Sequence, residues 1–346
     1  MTKISFRLAL AIAAFVLGSS AWTQHSRAQE PFFKGKTIRI VVGFSAGGGY
    51  DIYSRAIARH MGQHIPGNPT IVVENMAGAA SMISANHVYK VAKPDGLTIG
   101  HFIGGLFLQQ ILGRQGIEFD ARKFEYLGVP IKDTYCIGLT KASGITTMES
   151  WLAAKTPVKI GGTAPGSATD DIPAVLQAAL GLPLQVVSGY KGTAEIRLAA
   201  DSGEVAGFST GWESFKSTWR KSLDTGEAFI AVQAVAKPHP ELPKVPLAIN
   251  YAKTEEAKKL VQVGAHDPGV LARPFVLPPG TPKDRVQVLR KAFMDTLNDP
   301  EFLAEAKKTN LDIAPLSGEE IARTVDNLFK IEAPLVERLK KILLPK

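Results

Sequence analysis

The sequence predicts an α/β protein of two lobes, each a mostly parallel sheet flanked by helices, with crossing strands as the hinge. Three observations carry that expectation. A strand, a turn of small residues and a helix follow one another repeatedly, in two separate rounds, a rhythm that suits parallel sheets covered by helices. A fresh apolar strand near Tyr135 divides the rounds, and Ala272 to Pro282 offers a return crossing whose prolines fix the chain direction. The single cysteine, Cys136, cannot form an internal disulfide, so a chain of 346 residues must be held by its cores, and it is long enough to build two.

The chain opens on an export leader. Lys3 and Arg7 precede an apolar run from Leu8 to Gly18, and small residues follow. Cleavage fits after Ala21 or after Ala28, and the second choice makes residues 1–28 a removed signal peptide. The run falls short of the ~20 apolar residues that span a bilayer, and no cysteine follows it to take a lipid. The remaining chain is expected in the periplasm.

Thr37 to Gly43 is β-branched and apolar, as a strand covered on both faces should be. A glycine turn follows, then a helix from Asp51 to Met61. Pro69 to Glu74 is a second strand, Asn75 to Ala80 a second turn leading into a helix, and Leu97 to Phe102 a third strand. The second round places strands at Tyr135–Leu139, Val158–Thr163 and Leu184–Ser188, with helices over Asp170–Leu180 and from Gly192 to Asp201. Late helices start at Thr281-Pro282, after Asn298-Asp299-Pro300, and at the capping box Ser317–Glu320. The first lobe is expected to comprise 31–134 plus 268–346, and the second 135–267.

Charge excludes some partners. The formal net charge is +8, but Lys3, Arg7 and Arg27 lie in the leader, and the other cations are scattered among acids. That pattern argues against nucleic acid and permits a small anion. The glycines do not keep dinucleotide-binding spacing and no phosphate-loop lysine follows them. The histidines lack metal-site spacing, His60 and His64 included. No metal and no cofactor are therefore expected. Gly43-Phe44-Ser45-Ala46-Gly47 is a literal G-x-S-x-G, so a secreted serine esterase is the alternative. It lacks a convincing later general-base histidine, and the chain is read as a non-enzyme.

Three turns leave a strand and open a helix, exposing unpaired N–H groups beside a positive helix end, which suits an anion. They are Ser45-Ala46-Gly47-Gly48-Gly49-Tyr50-Asp51, Ala77-Gly78-Ala79-Ala80-Ser81, and Thr163 to Thr169 with Ser167 and Ala168. Two belong to one lobe and one to the other, so a ligand with a carboxylate at each end can bridge them. Asp51 serves equally as a helix-end acid or as a ligand contact. Arg273 is expected to pair within the hinge.

Lys36 to Asp51, Val72 to Ala80 and Lys93-Pro94-Asp95-Gly96-Leu97 resemble the substrate-binding proteins of tripartite tricarboxylate transporters, the Bug family. Ala164 to Thr169, Gly189-Tyr190-Lys191-Gly192, Gly203-Glu204-Val205 and Pro278 to Pro282 continue the resemblance in order. It implies a two-lobed periplasmic binding protein, a monomer, that captures a small carboxylate and docks transiently on integral-membrane transporter subunits. The ligand would be held by the backbone of Ala46 to Gly49, by Ala77 to Ala80, and by Thr163, Ser167, Ala168 and Thr169, with Tyr190 as an aromatic contact. The sequence departs from the common pattern at Ser45 and Ala46, at Asp170 and Asp171, and at Ala206.

Overall fold

The computed structural model describes residues 30–344. The expected signal peptide, 1–28, lies outside the described residues. Among these, no helix is long and apolar enough to cross a membrane.

Eleven strands run in chain order: β1 Thr37–Val42, β2 Thr70–Asn75, β3 Thr98–His101, β4 Glu125–Val129, β5 Tyr135–Thr140 and β6 Val158–Gly161, then β7 Leu184–Val187, β8 Gly207–Gly211, β9 Ala228–Gln233, β10 Phe275–Leu277 and β11 Leu316–Ser317. They form two sheets, ordered β11-β4-β10-β3-β1-β2 and β7-β6-β8-β5-β9. In the first, β1 pairs parallel with β2 and β3, while β10 runs antiparallel between β3 and β4. In the second, β6 pairs parallel with β7 and β8, while β5 runs antiparallel between β8 and β9. The two lobes thus share one strand order, β2-β1-β3-β10-β4 matching β7-β6-β8-β5-β9.

Each sheet is mixed, most of its strands running one way with an antiparallel strand set among them, and the reason is the crossing. The carboxyl ends of the βα strands face the other lobe, so a strand arriving from that lobe enters at the same end and must run opposite to them. β5 and β10 are those arriving strands.

Ile38, Ile40, Val41 and Val42 of β1 are completely or nearly completely buried beneath the Gly49–Met61, Met82–Lys90 and Lys283–Asn298 helices and their neighbours. The second sheet is covered by Ala168–Leu180, Thr193–Asp201 and Trp212–Thr218, where Phe208 lies 4.8 Å from Phe215 and 5.0 Å from Trp219 between ring centroids. The sequence reading groups 268–346 with the first lobe. Within that stretch the Ala333–Leu343 helix packs on the Ala168–Leu180 helix of the second, with Arg338 paired to Glu256 at 3.1 Å. The chain therefore passes between lobes a third time, just before Ala333.

The hinge is polar at its centre. Arg273, completely buried, pairs through Nε with Asp133 Oδ1 and donates from Nη2 to Ser214 Oγ at 2.7 Å. Its guanidinium lies 4.8 Å from the ring centroids of both Tyr50 and Tyr53. Asp133 lies between β4 and β5 and Arg273 just before β10, so one ion pair ties the two crossing segments, reinforced by the Asp133 N–H donating to Gly269 O at 3.0 Å. Burial lowers the pKa of Arg273, but the Asp133 charge outweighs it and holds the guanidinium above its ordinary value. Burial also raises Asp133 against the pull of Arg273.

Glu213 is the second carboxylate beside this guanidinium. Burial, then the Asp133 charge, pushes it up to about 7.

Arg273→Met should lower stability in urea unfolding by about 3–5 kcal/mol, because it leaves a buried carboxylate uncompensated. Stability should also depend on pH through Glu213. The folded state keeps a proton that the unfolded chain, near 4.5, has released, so this contribution is full below about 4.5 and fades as pH rises through about 7. Glu213→Gln should flatten that fall by at most about 3 kcal/mol, read as urea midpoints at acidic and alkaline pH.

Candidate functional site

Between the lobes lies a narrow cavity, with about 20 Å³ open to the centre of a water molecule. From the first lobe it is lined by Phe44, Gly48, Gly49, Tyr50 and Ile103. From the second come Thr163, Ser167, Ala168, Thr169, Thr193 and Thr210, and the hinge contributes Asp133. Three helix starts meet here, those of Gly49–Met61, Ala168–Leu180 and Thr193–Asp201. The first N–H groups of a helix have no intrahelical acceptor, so backbone donors and positive helix ends converge on the cavity.

The first turn is built for close approach. Gly47 has φ +79°, a left-handed conformation costly for any other residue. A Cβ at Gly49 would lie 2.1 Å from Ser214 Oγ, and one at Gly48 would lie 3.0 Å from Thr193 Oγ1. Glycine is needed because the opposite lobe abuts the turn.

Asp51 holds that turn rather than lining the cavity. Its carboxylate accepts the Gly47 N–H at 2.9 Å, Arg55 Nε at 2.9 Å and Asn75 Nδ2 at 2.9 Å. Burial would raise its pKa, but these donors, Arg55 first, hold it below the usual carboxylate range.

The turn of the second lobe is organised by Asp170. Thr169 Oγ1 donates to Asp170 Oδ2 at 2.8 Å, and Ser188 donates to the other oxygen. Having given its proton away, Thr169 Oγ1 accepts the Thr163 N–H at 3.0 Å and lies within 3.1 Å of Thr163 Oγ1 and 2.9 Å of Ser167 Oγ. An oxygen with two lone pairs can accept only one of those two hydroxyls beside the N–H. The other is left to donate into the cavity, next to the Ala168 N–H. Asp170, which carries no contact to the cavity itself, therefore sets the polarity of the hydroxyls that line it.

Not every expected residue reaches the cavity. Ala46 and Gly47 are exposed at the rim. The Ser45 N–H donates to Lys191 O of the other lobe at 3.1 Å, and the Ser45 hydroxyl is buried without a partner. Ala77, Gly78, Ala79 and Ala80 lie outside the lining. Their turn winds left-handed, with φ of 49°, 53° and 65° at Ala79, Ala80 and Ser81. It delivers Ser81 against Gly43, where its hydroxyl accepts the Ile103 N–H at 3.0 Å. The second turn thus positions Ile103, which does line the cavity. Tyr190 turns away and donates its hydroxyl to Glu204. Its turn contributes Thr193 instead. Sequence reasoning also missed Phe44, Tyr50, Thr210 and Asp133; the first two flank the glycine turn and Thr210 lies next to the last residue of β8, near the strand end where a binding residue of an α/β sheet is to be sought.

The lobes also touch beside the start of the Ala168–Leu180 helix. Gln109 Nε2 of the first donates to Asp171 Oδ2 of the second at 2.9 Å, and Arg114 donates to Pro165 O. Burial pushes Asp171 up to about 7, against the pull of the Gly166 N–H and Gln109. Among the described residues no base contacts the Ser45 hydroxyl, and the buried ring of His101 is engaged with Ser54 at 2.7 Å and stacked on Phe275 at 4.0 Å. The arrangement a serine esterase requires is not assembled at this turn. A wider concavity opens on the flank of the second lobe beside β9, among Lys141, Trp212, Arg220 and Glu241, remote from the converging helix starts.

Residues 54–341 match the family model described as tripartite tricarboxylate transporter family receptor. A curated relative from Cupriavidus necator, a UPF0065 protein in the gbd 5' region, is 26% identical over 348 residues, 96% of this chain and 96% of the relative. The fold is similar to the periplasmic binding protein BugD, with TM-score 0.70 and 22% identity over 89% of this chain and 97% of that one. It is also similar to MatC from Rhodopseudomonas palustris with bound malate, with TM-score 0.69 and 19% identity over 89% of this chain and 99% of that one.

The hydroxyl network makes a separable prediction. Thr169→Val should cost about 1–3 kcal/mol in urea unfolding, because it strands the Thr163 N–H and a buried Asp170 oxygen. Ser167→Ala should cost about 0.5–2 kcal/mol, the loss of the helix cap that accepts the Thr169 N–H, while Thr163 can still supply the hydroxyl that Thr169 accepts.

Proposed function

We propose a function on one premise: the chain belongs to the tripartite tricarboxylate transporter receptor family. It captures a small carboxylate between its two lobes in the periplasm and delivers it to the membrane subunits of a transporter, docking on them transiently as a monomer and carrying out no chemistry on the ligand. The observation that carries this reading is the convergence of three helix starts and a hydroxyl-lined turn on one cavity between the lobes. Such a site holds an anion through backbone donors without an arginine or lysine.

The magnitudes are sufficient. Four to six charge-assisted hydrogen bonds of roughly 1.5–3 kcal/mol each, less the costs of association, reach about −8 kcal/mol, a micromolar dissociation constant. The malate held by MatC agrees with a carboxylate as the ligand class. The resemblance of the leader to an export signal supports the periplasm, and the family supports the transporter as partner.

A thermal-shift screen against mono-, di- and tricarboxylates should give a concentration-dependent rise for one class. The active ligand should also reduce the radius of gyration in solution scattering as the lobes close. A rise with no acid, together with turnover of an ester that Ser45→Ala abolishes, would replace this reading with the esterase.

A further inference from the structure

We propose that the cavity selects a monocarboxylate whose far end carries a hydrogen-bond donor, a hydroxyl or an ammonium group, and that Asp133 is the residue that selects it. The inference rests on the carboxylate-receptor reading and narrows it. Among the described residues that line the cavity, Asp133 is the only one with a charged side chain. The cation that balances it, Arg273, is completely buried behind it and is not part of the wall. A ligand therefore meets the acid and not the base.

Asp133 has one oxygen to offer. Oδ1 is taken by Arg273 Nε, whereas no donor among the described residues reaches Oδ2. Oδ2 would lie 2.9 Å from a Cβ built on Gly211, directly after the cavity residue Thr210. Asp133 and Glu213 share the single guanidinium, so the hinge cluster presents no net positive charge to attract an anion.

The remaining walls divide by chemistry. The Ala168 N–H and the one hydroxyl of Ser167 and Thr163 that Thr169 does not accept supply donors for one carboxylate, and Phe44 with Tyr50, ring centroids 4.8 Å apart, supply an apolar flank. A diacid bridging the cavity, as the sequence alone suggests, would bring its second carboxylate against Asp133. A hydroxyl or ammonium group would donate to it.

Titration calorimetry on the mature chain tests this with two matched series. One is butyrate, 4-hydroxybutyrate, 4-aminobutyrate and succinate; the other is benzoate, 4-hydroxybenzoate and terephthalate. In at least one series the donor-bearing acid should bind about tenfold more tightly than both the plain acid and the diacid. Asp133→Asn should reduce the preference for 4-aminobutyrate over succinate by about tenfold. Should that variant fail to fold, the unmutated protein's ranking decides alone. A diacid binding as tightly as its donor-bearing partner overturns the role of Asp133 and leaves the carboxylate receptor standing. Binding of no acid in these series overturns the inference, and only silence across the wider carboxylate screen removes the receptor reading as well.

Discussion

One guanidinium, Arg273, joins the two segments by which β4 passes to β5 and the second lobe returns to β10. Moving charges from water into a protein interior is costly, and a well-packed apolar replacement is often as stable. What an apolar cluster would lack is direction. The fork of Arg273 fixes Asp133 on one side and Ser214 on the other while its face lies over Tyr50 and Tyr53 of the first helix. The helix bearing Ser214 packs on Gly49, so the same residue sets how closely the second lobe approaches the first glycine turn. The hinge and the binding cavity are consequently one polar unit.

The cavity itself uses very little side-chain charge. An anion desolvated between two lobes needs donors already in place, and helix starts provide them at no rotamer cost. Hydroxyls lack that advantage, since they rotate. Asp170 removes the freedom by taking the Thr169 proton, which obliges Thr169 to accept from its neighbours and leaves a donor for the ligand. Asp51 does the equivalent work in the first lobe, where it clamps the Gly47 N–H and ties the turn to Asn75 of β2. Both acids stand near the anion site, yet each is committed to organising donors.

How much of this could be read from the chain depends on whether the signal is local. β1, the glycine turn and the helix after it are legible because a β-branched run, unavoidable glycines and helical periodicity lie within a few residues of one another. The antiparallel entry of β5 and β10 is not, because it follows from which end of a distant sheet the chain reaches. Within the site, Thr163, Ser167, Ala168 and Thr169 come with their turn, and Phe44 and Tyr50 flank a turn that was recognised. Tyr190 shows the limit of residue type as evidence: the turn reaches the cleft through Thr193, while the aromatic ring lies against Glu204. Asp133 carries no local mark at all. Its place is defined by Arg273, 140 residues later.

The strength of contact is distributed unevenly along the cleft, and that distribution is what a clamp requires. At the hinge, burial is complete and the partners are charged. Beside the cavity, hydrogen bonds run between the lobes from Ser45 to Lys191, from Gln109 to Asp171 and from Arg114 to Pro165. The closed cleft also buries the Ser45 hydroxyl and Gln109 Oε1 without partners among the described residues. Each such group costs roughly 1–3 kcal/mol of desolvation, comparable to what a single bond across the cleft returns. The hydrogen bonds made by an enclosed carboxylate add to those across the cleft, and a ligand that makes them only when the lobes are together shifts the population toward the closed form.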